Sequence, residues 1–331
     1  QQDRRIFNFY EALEEKRKYY RLLNGSLLSL EAREYEEIQR FLKEVPKQEE
    51  DLEEVISMPI IQGLSLVNDV EIIKYEESFR KFLEAFQYPE KLNIEVPERL
   101  NHTLHEYQKA GYKWMKTIAQ YGFGGILADD MGLGKTLQAI CYILSEIPSI
   151  REYKQPILVI CPSSLTYQWL SEFMKFAPEI RTDIIEGNKT KRAEQLKNTQ
   201  TNEVDVLITS YPMLRKDIKW YENQSFHTII FDEAQAFKNP FTQTAKAVKL
   251  LKADHRFALT GTPVENSLEE LWSIFNVVFP ELFRGLKEYS NLSRKTISRR
   301  IKPFMLRRLK QDVLSAFPEK KQLLETADLL P

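Results

Sequence analysis

Two short runs of residues in this chain carry groups that could bind and hydrolyse a nucleoside triphosphate. Residues 129–136 combine the N–H groups of a glycine-rich turn with the ammonium of Lys135 and the hydroxyl of Thr136. These are the groups that hold nucleotide phosphates and their Mg²⁺. Further along the chain, Asp232 and Glu233 follow an apolar run, where two adjacent carboxylates could hold a metal ion and a water. Together the two runs predict that the protein binds ATP and Mg²⁺.

The first run lies between a short apolar stretch, 124–128, and a predicted helix, 137–147. Gly132 and Gly134 would let the backbone approach the phosphates at the helix N-terminus, where anions are favoured. Lys135 would reach the β- and γ-phosphates, and Thr136 would ligate Mg²⁺. The strict phosphate-loop pattern has Gly where this chain has Asp129. By itself, the run could therefore also be an ordinary glycine loop that caps a helix.

The second run ends a buried-strand pattern, residues 227–231, which is β-branched and aromatic. Open α/β sheets place ligand chemistry at the carboxyl ends of their strands. Asp232 would therefore hold Mg²⁺, directly or through water, and Glu233 would orient and deprotonate the attacking water. The alternative for a lone Asp-Glu pair is a solvated loop, which the phosphate loop upstream disfavours.

Composition indicates an ordinary globular chain of 331 residues, 43% hydrophobic and 29% charged. The sequence contains neither an apolar run of membrane-spanning length nor a signal peptide, so we expect no membrane partner and a cytoplasmic protein. Cys141 and Cys161 fall in a predicted helix and a predicted strand, which indicates buried thiols in a reducing compartment. The four histidines show no metal-ligand spacing.

Charge is unevenly distributed although the net charge is only −1. Residues 1–100 are acidic on balance, whereas residues 294–310 form a basic cluster. Its members are Arg294, Lys295, Arg299, Arg300, Lys302, Arg307, Arg308 and Lys310. Such a cluster could meet nucleic-acid phosphates, form a solvated helix face, or pair with an acidic partner. Composition alone does not separate these alternatives.

The chain divides near residue 100 into regions of different pattern. Residues 1–100 are predicted to be a mainly helical appendage and linker, with helices at 9–23, 29–45 and 76–86 and an unknown protein partner. From 101 to 320, β-rich runs at 124–128, 157–161, 204–209, 227–231 and 255–260 alternate with helical runs, for instance 164–176, 189–198, 241–252 and 267–278. This alternation predicts an α/β fold: a RecA-like parallel sheet with helices on both faces, of the P-loop NTPase class. Residues 264–310 would form a helical insert, and 321–331 would begin a linker.

Across roughly residues 100–320 the sequence resembles the first ATPase lobe of the Swi/Snf-type, helicase-like superfamily 2 ATPases. The resemblance depends on seven segments in the family's order: 104–108 before the phosphate loop, motif I at 127–136, motif Ia at 161–165 with Trp169, motif Ib at 209–211, motif II at 232–235, motif III at 259–263 and the lobe-closing stretch 304–313. The family accepts Asp at 129. Gln235 and the run Val264-Glu265-Asn266 favour its bacterial branch, which implies a nucleoid-associated protein of a bacterial cytoplasm. The short segment 281–301 makes nucleosome sliding doubtful.

The resemblance implies an ATPase that translocates along duplex DNA without strand separation. It assigns adenine recognition to Gln108, coupling between nucleotide and DNA to Gln235, Thr260 and Thr262, and catalysis to Lys135, Asp232 and Glu233. The full nucleotide-binding set would be Gln108, Asp130, Met131, Gly132, Leu133, Gly134, Lys135, Thr136 and Leu137. The DNA backbone would be contacted, independently of base sequence, by Pro162, Ser163, Ser164 and Thr209.

Four groups of residues also have simple structural interpretations. Gln108 could be a surface glutamine, and Ser163 and Ser164 could cap a helix. Trp114, Trp169 and Trp272 are most simply core aromatics. The Arg307-Arg308 pair is expected to serve packing, lobe coupling or a loose DNA contact.

The resemblance also implies a second RecA-like lobe that carries the arginines which stabilise the transferring phosphoryl group. Because the chain starts with Gln and stops soon after the first lobe, we expect it to be a piece that binds nucleotide but hydrolyses it slowly. Two other functions stay open: the lobe of an RNA or single-strand helicase of the same superfamily, or a binding module that uses nucleotide only to change shape.

Overall fold

A parallel β-sheet organises the residues that follow position 100. The computed structural model describes residues 88–199, 203–261, 268–283 and 285–314, together with residue 84 and the short strands β1 and β2. Within these residues, the strands are β1 (Tyr19–Arg21), β2 (Leu27–Ser29), β3 (Gly125–Leu127), β4 (Ile157–Cys161), β5 (Thr182–Ile184), β6 (Val206–Ser210), β7 (Phe226–Phe231), β8 (Ala253–Leu259) and β9 (Met305–Leu306). Strands β3 to β9 form one seven-stranded sheet in the order β5-β6-β4-β7-β8-β3-β9. All of its neighbouring strands are parallel.

Helices cover this sheet because its central strands are apolar over their whole length. Every residue of β4, β6 and β7 is buried, as expected for parallel strands with both faces covered. The α-helices in the described residues are α1 (Glu98–Asn101), α2 (Glu106–Gln120), α3 (Lys135–Tyr153), α4 (Thr166–Phe176), α5 (Lys189–Asn198), α6 (Tyr211–Lys216), α7 (Ile218–Tyr221), α8 (Gln243–Lys249), α9 (Leu268–Val278), α10 (Leu286–Ser290), α11 (Arg294–Ile301) and α12 (Lys310–Leu314). The α/β fold predicted from the alternation of runs is confirmed.

The register of the neighbouring strands β7, β8 and β3 brings the segments that follow them to one edge of the sheet. Ile230 of β7 lies beside Phe257 of β8, which lies beside Gly125 of β3. The segments that follow these strands begin at Asp129, Asp232 and Thr260, so they leave the same edge of the sheet side by side. The backbone is closely packed where β3 starts: a Cβ atom at Gly124 would lie 1.7 Å from the carbonyl oxygen of Val278.

Two strands of the sheet, β5 and β9, escaped sequence interpretation. Strand β9 has two residues and lies inside the predicted helical insert 264–310, which is wrong there. It pairs with β3, and Ala128 extends the pairing by donating its N–H to the carbonyl of Leu306 at 2.7 Å. Two residues show no periodicity, so only long-range pairing could reveal this strand. The residues after β9 therefore run directly along the phosphate loop.

The predicted helix 9–23 is wrong at its C-terminal end. Residues 19–21 form strand β1, which pairs antiparallel with β2, and Tyr19 lies opposite Ser29. Asn24-Gly25 lies between the two strands, and this dipeptide is typical of a β-hairpin turn as well as of a helix end. The remainder of the predicted helices at 9–23, 29–45 and 76–86, apart from residue 84, lies outside the described residues, as does the segment 321–331.

The chain divides into two structural units. One comprises residues 1–84 and 292–301, and the other comprises residues 85–291 and 302–331. Helix α11, which carries half of the basic cluster, belongs to the first unit, and its Ile297 and Ile301 are buried. Lys302, Arg307, Arg308 and Lys310 belong to the second unit. The basic cluster of the sequence is therefore split between two units.

A buried polar cluster lies where β7 begins, at the sheet edge opposite the three segments. Glu146 of α3 accepts a hydrogen bond from Lys116 of α2 at 2.5 Å and lies 3.3 Å from Nε2 of His227. The hydroxyls of Tyr142 and Thr228 are 3.0 Å apart beside it. Burial raises the pKa of Glu146, but hydrogen bonds from His227 and Lys116 outweigh it and hold the pKa at about 2. Glu146 is thus an ionised carboxylate that the Lys116 ammonium and a hydrogen bond from His227 stabilise.

Candidate functional site

The phosphate loop joins β3 to α3 through two glycines in left-handed conformation. Gly132 has φ of 89° and Gly134 has φ of 78°, values that favour glycine because a side chain would be strained there. Helix α3 begins at Lys135, directly after Gly134. Its first N–H groups therefore point towards the concave side of the loop, as in an anion site at a helix N-terminus.

The ammonium of Lys135 folds back onto the loop. Its Nζ donates to the carbonyl oxygens of Asp129 at 2.6 Å and Asp130 at 3.3 Å. Burial lowers the pKa of Lys135, while the nearby carboxylates of Asp129, Glu233 and Asp232 raise it. A phosphate group would offer this half-buried cation a stronger partner than two carbonyls.

Side chains from the start of α2 brace the loop from the other side. Tyr107 donates its hydroxyl to the carbonyl of Leu133 at 2.8 Å, and Gln108 donates its amide to the same carbonyl at 3.1 Å. The amide oxygen of Gln108 accepts the backbone N–H of His105 at 2.9 Å. Gln108 is 5% exposed, so its alternative as a surface glutamine is wrong. It lies against Gly134, where an added Cβ would be 2.4 Å from its amide nitrogen.

Asp129 accepts hydrogen bonds from several groups, and this hydrogen-bond network was not predicted from the sequence. Its carboxylate is fully buried and accepts hydrogen bonds from the Nε and Nη2 atoms and the backbone N–H of Arg308, and from the amide of Gln138. Arg308 also donates to the carbonyl of Tyr107 and lies 5.1 Å from its ring centroid. Gly111 of α2 leaves room for the hydrogen bond from Arg308 to Gln138, since a Cβ there would lie 1.8 Å from the Gln138 amide oxygen and 2.9 Å from Nη2 of Arg308. The residue that departs from the strict loop pattern therefore anchors the lobe-closing segment to the loop.

Asp232 at the end of β7 is held by two donors. Oδ2 accepts the indole N–H of Trp169 at 2.8 Å, and Oδ1 accepts the backbone N–H of Glu233 at 2.9 Å. Its backbone carbonyl accepts the hydroxyl of Tyr211 at 2.7 Å. Burial raises the pKa of Asp232, and the Trp169 hydrogen bond opposes that shift. Trp169 is buried as expected of a core aromatic, but it also orients a candidate metal ligand, which spacing could not show.

Glu233 is the first residue of a short hydrogen-bonded chain that reaches β8. Its backbone is left-handed, with φ of 47°, which turns the side chain out of the strand direction. Oε2 of Glu233 accepts the amide of Gln235 at 2.6 Å, and the amide oxygen of Gln235 accepts the hydroxyl of Thr260 at 3.2 Å. The structure thus brings the predicted residue Gln235 into contact with Glu233, and Thr260 into contact with Gln235. Thr262 lies outside the described residues.

The predicted nucleic-acid residues do not share one environment. Ser163 and Ser164 are exposed in a 3₁₀ turn, and Pro162 before them is half-buried. Neither serine hydroxyl caps α4, whose first turn receives no side-chain cap, so that alternative is wrong. Thr209 is 0% exposed inside β6. Because both faces of the sheet are covered there, Thr209 cannot touch a nucleic-acid backbone, and its assignment as a DNA contact is corrected.

The residues at this edge fit MgATP by their chemistry. Two left-handed glycines open the loop backbone, and a Cβ added at Gly132 would lie 3.8 Å from Nζ of Lys310. Thr136 on α3 and Asp232 on β7 supply a hydroxyl and a carboxylate, which are hard oxygen ligands suited to Mg²⁺. The remaining loop residues are mixed in exposure: Met131 is 80% exposed, Leu133 is buried, Leu137 is half-buried, and Asp130 accepts the backbone N–H of Lys310.

Neither a membrane-spanning helix nor a cluster of metal-binding side chains occurs among the residues that the structure describes. There, no helix is both long and apolar enough to span a bilayer, and no group of three or more His, Cys, Asp or Glu side chains could hold a metal ion. Cys141 and Cys161 are free, buried thiols, and burial raises the pKa of each to about 12. Both cysteines are therefore unreactive core residues.

Comparison with known proteins places this geometry in a family. The model of the SNF2-related domain matches residues 107–329, and the model described as bacterial SNF2 helicase associated matches residues 4–97. An uncharacterised ATP-dependent helicase of Mycoplasma genitalium is 40% identical over 230 residues, covering 66% of this chain and 22% of the relative. The TATA-binding protein-associated factor MOT1 of Saccharomyces cerevisiae is 34% identical over 284 residues, covering 76% of this chain and 15% of the relative.

Solved structures agree with the sequence relatives. The Sulfolobus solfataricus SWI2/SNF2 ATPase core in complex with dsDNA matches with a TM-score of 0.59 and 36% identity, covering 66% of this chain and 48% of that chain. This chain therefore spans less than a quarter of the curated relatives named above and about half of the solved core. Because the family model covers residues 107–329, the chain belongs to the SNF2-related domain family.

Proposed function

We propose that this chain is the first ATP-binding lobe of a DNA-dependent ATPase that translocates along duplex DNA without separating the strands. One observation carries the proposal: the phosphate loop, the Asp232-Glu233 pair and Thr260 meet at the carboxyl edge of β3, β7 and β8. Family membership supports the same reading. In the protein of natural length, the lobe would hydrolyse ATP.

The residues at the edge divide the work of hydrolysis. Lys135 would leave the loop carbonyls and neutralise the β- and γ-phosphates, while the N–H groups of the loop and of α3 hold them. Thr136 and Asp232 would hold Mg²⁺, which, when bound, neutralises charge on the phosphates. Glu233 would orient the attacking water and accept its proton. The remainder of the set predicted from the sequence, from Asp130 to Leu137, would shape the loop.

Coupling between nucleotide and DNA would use the chain Glu233, Gln235 and Thr260. A change in the position of Thr260 would move the amide of Gln235, and with it the carboxylate that must face the water. We include Thr262 in this role on the family pattern. On the family pattern, Gln108 would recognise adenine, with its amide exchanging the contact to the carbonyl of Leu133 for one to the base.

Duplex DNA would lie across the 3₁₀ turn that carries Pro162, Ser163 and Ser164. Exposed hydroxyls and N–H groups contact phosphates without reading bases, so binding would be independent of sequence. The Sulfolobus SWI2/SNF2 core, which was solved with dsDNA, supports a duplex as the substrate. A second RecA-like lobe would supply the arginines for the transition state, and residues 1–100 would bind a protein partner. The protein would act on the DNA of a bacterial cytoplasm.

The test is the ATPase rate of the protein at its natural length, measured with duplex DNA, single-stranded DNA and RNA over a salt series. We expect duplex DNA to stimulate most and the stimulation to fall as salt rises. Glu233→Gln should lower the rate by about 10²-fold or more while nucleotide binding persists. Preferential stimulation by RNA or single strands would instead support a helicase of the same superfamily. An unchanged rate in Glu233→Gln would favour a module that uses nucleotide only to change shape.

A further inference from the structure

Two aromatic side chains connect the proposed DNA-facing segments to Asp232. Trp169 lies on α4, the helix that begins directly after the turn of Ser163 and Ser164, and its indole donates to Oδ2 of Asp232 at 2.8 Å. Tyr211 is the first residue of α6, directly after β6, and its hydroxyl donates to the carbonyl of Asp232 at 2.7 Å. Motifs Ia and Ib therefore converge on one residue of motif II.

Burial makes both connections rigid. Trp169 is 1% exposed, Tyr211 is 4% exposed and Asp232 is 7% exposed, so water does not compete for these hydrogen bonds. Each aromatic ring also packs on a neighbour: Trp169 lies 5.9 Å from Phe173, and Tyr211 lies 6.2 Å from Phe237. A buried donor that is fixed by packing can hold its acceptor in one orientation.

The two aromatic residues are close in sequence to the exposed turn and to the cap of α6. The hydroxyl of Thr166 donates to the carbonyl of Ser163 at 3.2 Å, which ties the exposed turn to the first residue of α4. Ser210 caps α6 by accepting the N–H of Met213 at 3.3 Å. A shift of the Ser163–Leu165 turn would therefore also shift α4 and the Trp169 indole that it carries.

We infer that Trp169 and Tyr211 are positioning residues that hold Asp232 as a metal ligand and transmit contacts of the Ser163–Leu165 turn and of α6 to it. The inference depends on the proposed function, in which Asp232 holds Mg²⁺ and the turn faces DNA. Outer partners of a metal ligand fix its orientation, and removing one typically costs about 10- to 100-fold in metal affinity or activity. If the two aromatic residues only packed, their replacement would change nucleotide affinity equally with and without Mg²⁺.

The first experiment measures binding of fluorescent ADP to this 331-residue chain in Mg²⁺ and in EDTA. Trp169→Phe keeps an aromatic ring but loses the indole donor, and Tyr211→Phe loses one hydroxyl. We expect the affinity in Mg²⁺ to fall about 10-fold for Trp169→Phe and a few-fold for Tyr211→Phe, with the affinity in EDTA unchanged. Tyr211→Phe keeps the test valid should Trp169→Phe fold poorly, because it removes a single atom.

Matched controls remove the same groups away from the site. Trp114 donates its indole to the carbonyl of Pro303 at 3.0 Å, and Tyr112 donates its hydroxyl to the carbonyl of Glu95 at 3.0 Å. Trp114→Phe and Tyr112→Phe should leave both affinities unchanged. Equal losses in Mg²⁺ and EDTA, or test variants that match the controls, would overturn the inference alone. If the ADP affinity of the wild-type chain were the same in Mg²⁺ and in EDTA, the proposed function would be overturned as well.

The second experiment tests transmission in the protein of natural length. It compares the ATPase rate at saturating duplex DNA with the rate without DNA, and measures DNA affinity separately. We expect Trp169→Phe to lower the ratio of the two rates several-fold while DNA affinity stays at the wild-type value. If the ratio of the ATPase rates with and without DNA stayed at the wild-type value in both test variants, Trp169 and Tyr211 would not couple DNA binding to Asp232. That result would overturn this part of the inference.

Discussion

The ion pair of Asp129 and Arg308 should dominate the stability of the site, and Arg308→Met tests this. Methionine has a similar length but no donors, so the change removes the two guanidinium contacts to a carboxylate that is 0% exposed. Removing one partner of a buried pair typically costs about 3–5 kcal/mol, because the other charge stays buried without compensation.

The expected cost lies at the lower end of that range. The side chain of Arg308 is 17% exposed, so water could enter from its side. Asp129 would also keep two donors, the backbone N–H of residue 308 at 3.0 Å and the amide of Gln138 at 3.3 Å. We therefore expect a loss of about 3 kcal/mol. For a unit of this size that corresponds to a fall in Tm of about 6–12 °C.

Urea unfolding followed by tryptophan fluorescence measures the loss. The four tryptophans, Trp114, Trp169, Trp220 and Trp272, all lie within the lobe, so their signal reports on it directly. Arg99→Met is the matched control, because Arg99 pairs with Glu179 at 2.9 Å on the surface, where the two side chains are 51% and 41% exposed. Such exposed pairs contribute about 0–1 kcal/mol.

A double-mutant cycle decides whether the effect belongs to the pair. Asp129→Asn removes the buried charge, so the double variant with Arg308→Met should be more stable than Arg308→Met alone by about 1–2 kcal/mol. Two results would refute the reasoning: a loss for Arg308→Met no larger than for Arg99→Met, or additive losses in the cycle.

Three other perturbations follow from the structure. Lys135→Ala should weaken ADP binding by about 10-fold or more, because a charge-assisted contact is lost; anisotropy of a labelled nucleotide measures it, and wild-type affinity would contradict the loop assignment. The pKa of Glu146 is depressed to about 2 from 4.5, so its contribution, about 3 kcal/mol by linkage, is present above pH 4.5 and lost as the pH falls towards 2. Glu146→Gln should flatten that part of the stability profile, and an unchanged acid limb would show that Glu146 does not cause it. Replacing Ser163 and Ser164 together by Ala should weaken duplex binding by about 2- to 10-fold per lost hydroxyl contact but leave the salt slope unchanged, because no charge is removed; a smaller slope in the titration would speak against neutral backbone contacts.

Sequence interpretation succeeded where the signal is local. The strands at 157–161 and 227–231 are continuous apolar runs, and helix 189–198 was predicted with the bounds that the structure shows. The glycine loop and the Asp232-Glu233 pair can each be identified from a pattern of a few adjacent residues. Strands β5 and β9 did not, since three and two residues are too few for a period to appear.

Interpretation failed where a residue's surroundings come from distant parts of the chain. Thr209 lies in a motif that suggests DNA contact, but its strand is covered on both faces and its side chain is fully buried. Residues 19–21 fall in a predicted helix, but they form strand β1, whose partner β2 begins at residue 27. Trp169 was correctly expected to be buried, but its donor function depends on a partner 63 positions away.

The sequence by itself determined which groups are available: a phosphate loop with Lys135, a carboxylate pair at a strand end, and a chain of alternating β and α segments. Only the tertiary structure decided how these groups are held. It paired Asp129 with Arg308, 179 positions apart, and brought Trp169 and Tyr211 to Asp232. The physical reason is that loops and strand ends carry chemistry locally, whereas the orientation of a buried polar side chain depends on donors that only folding brings within hydrogen-bond distance.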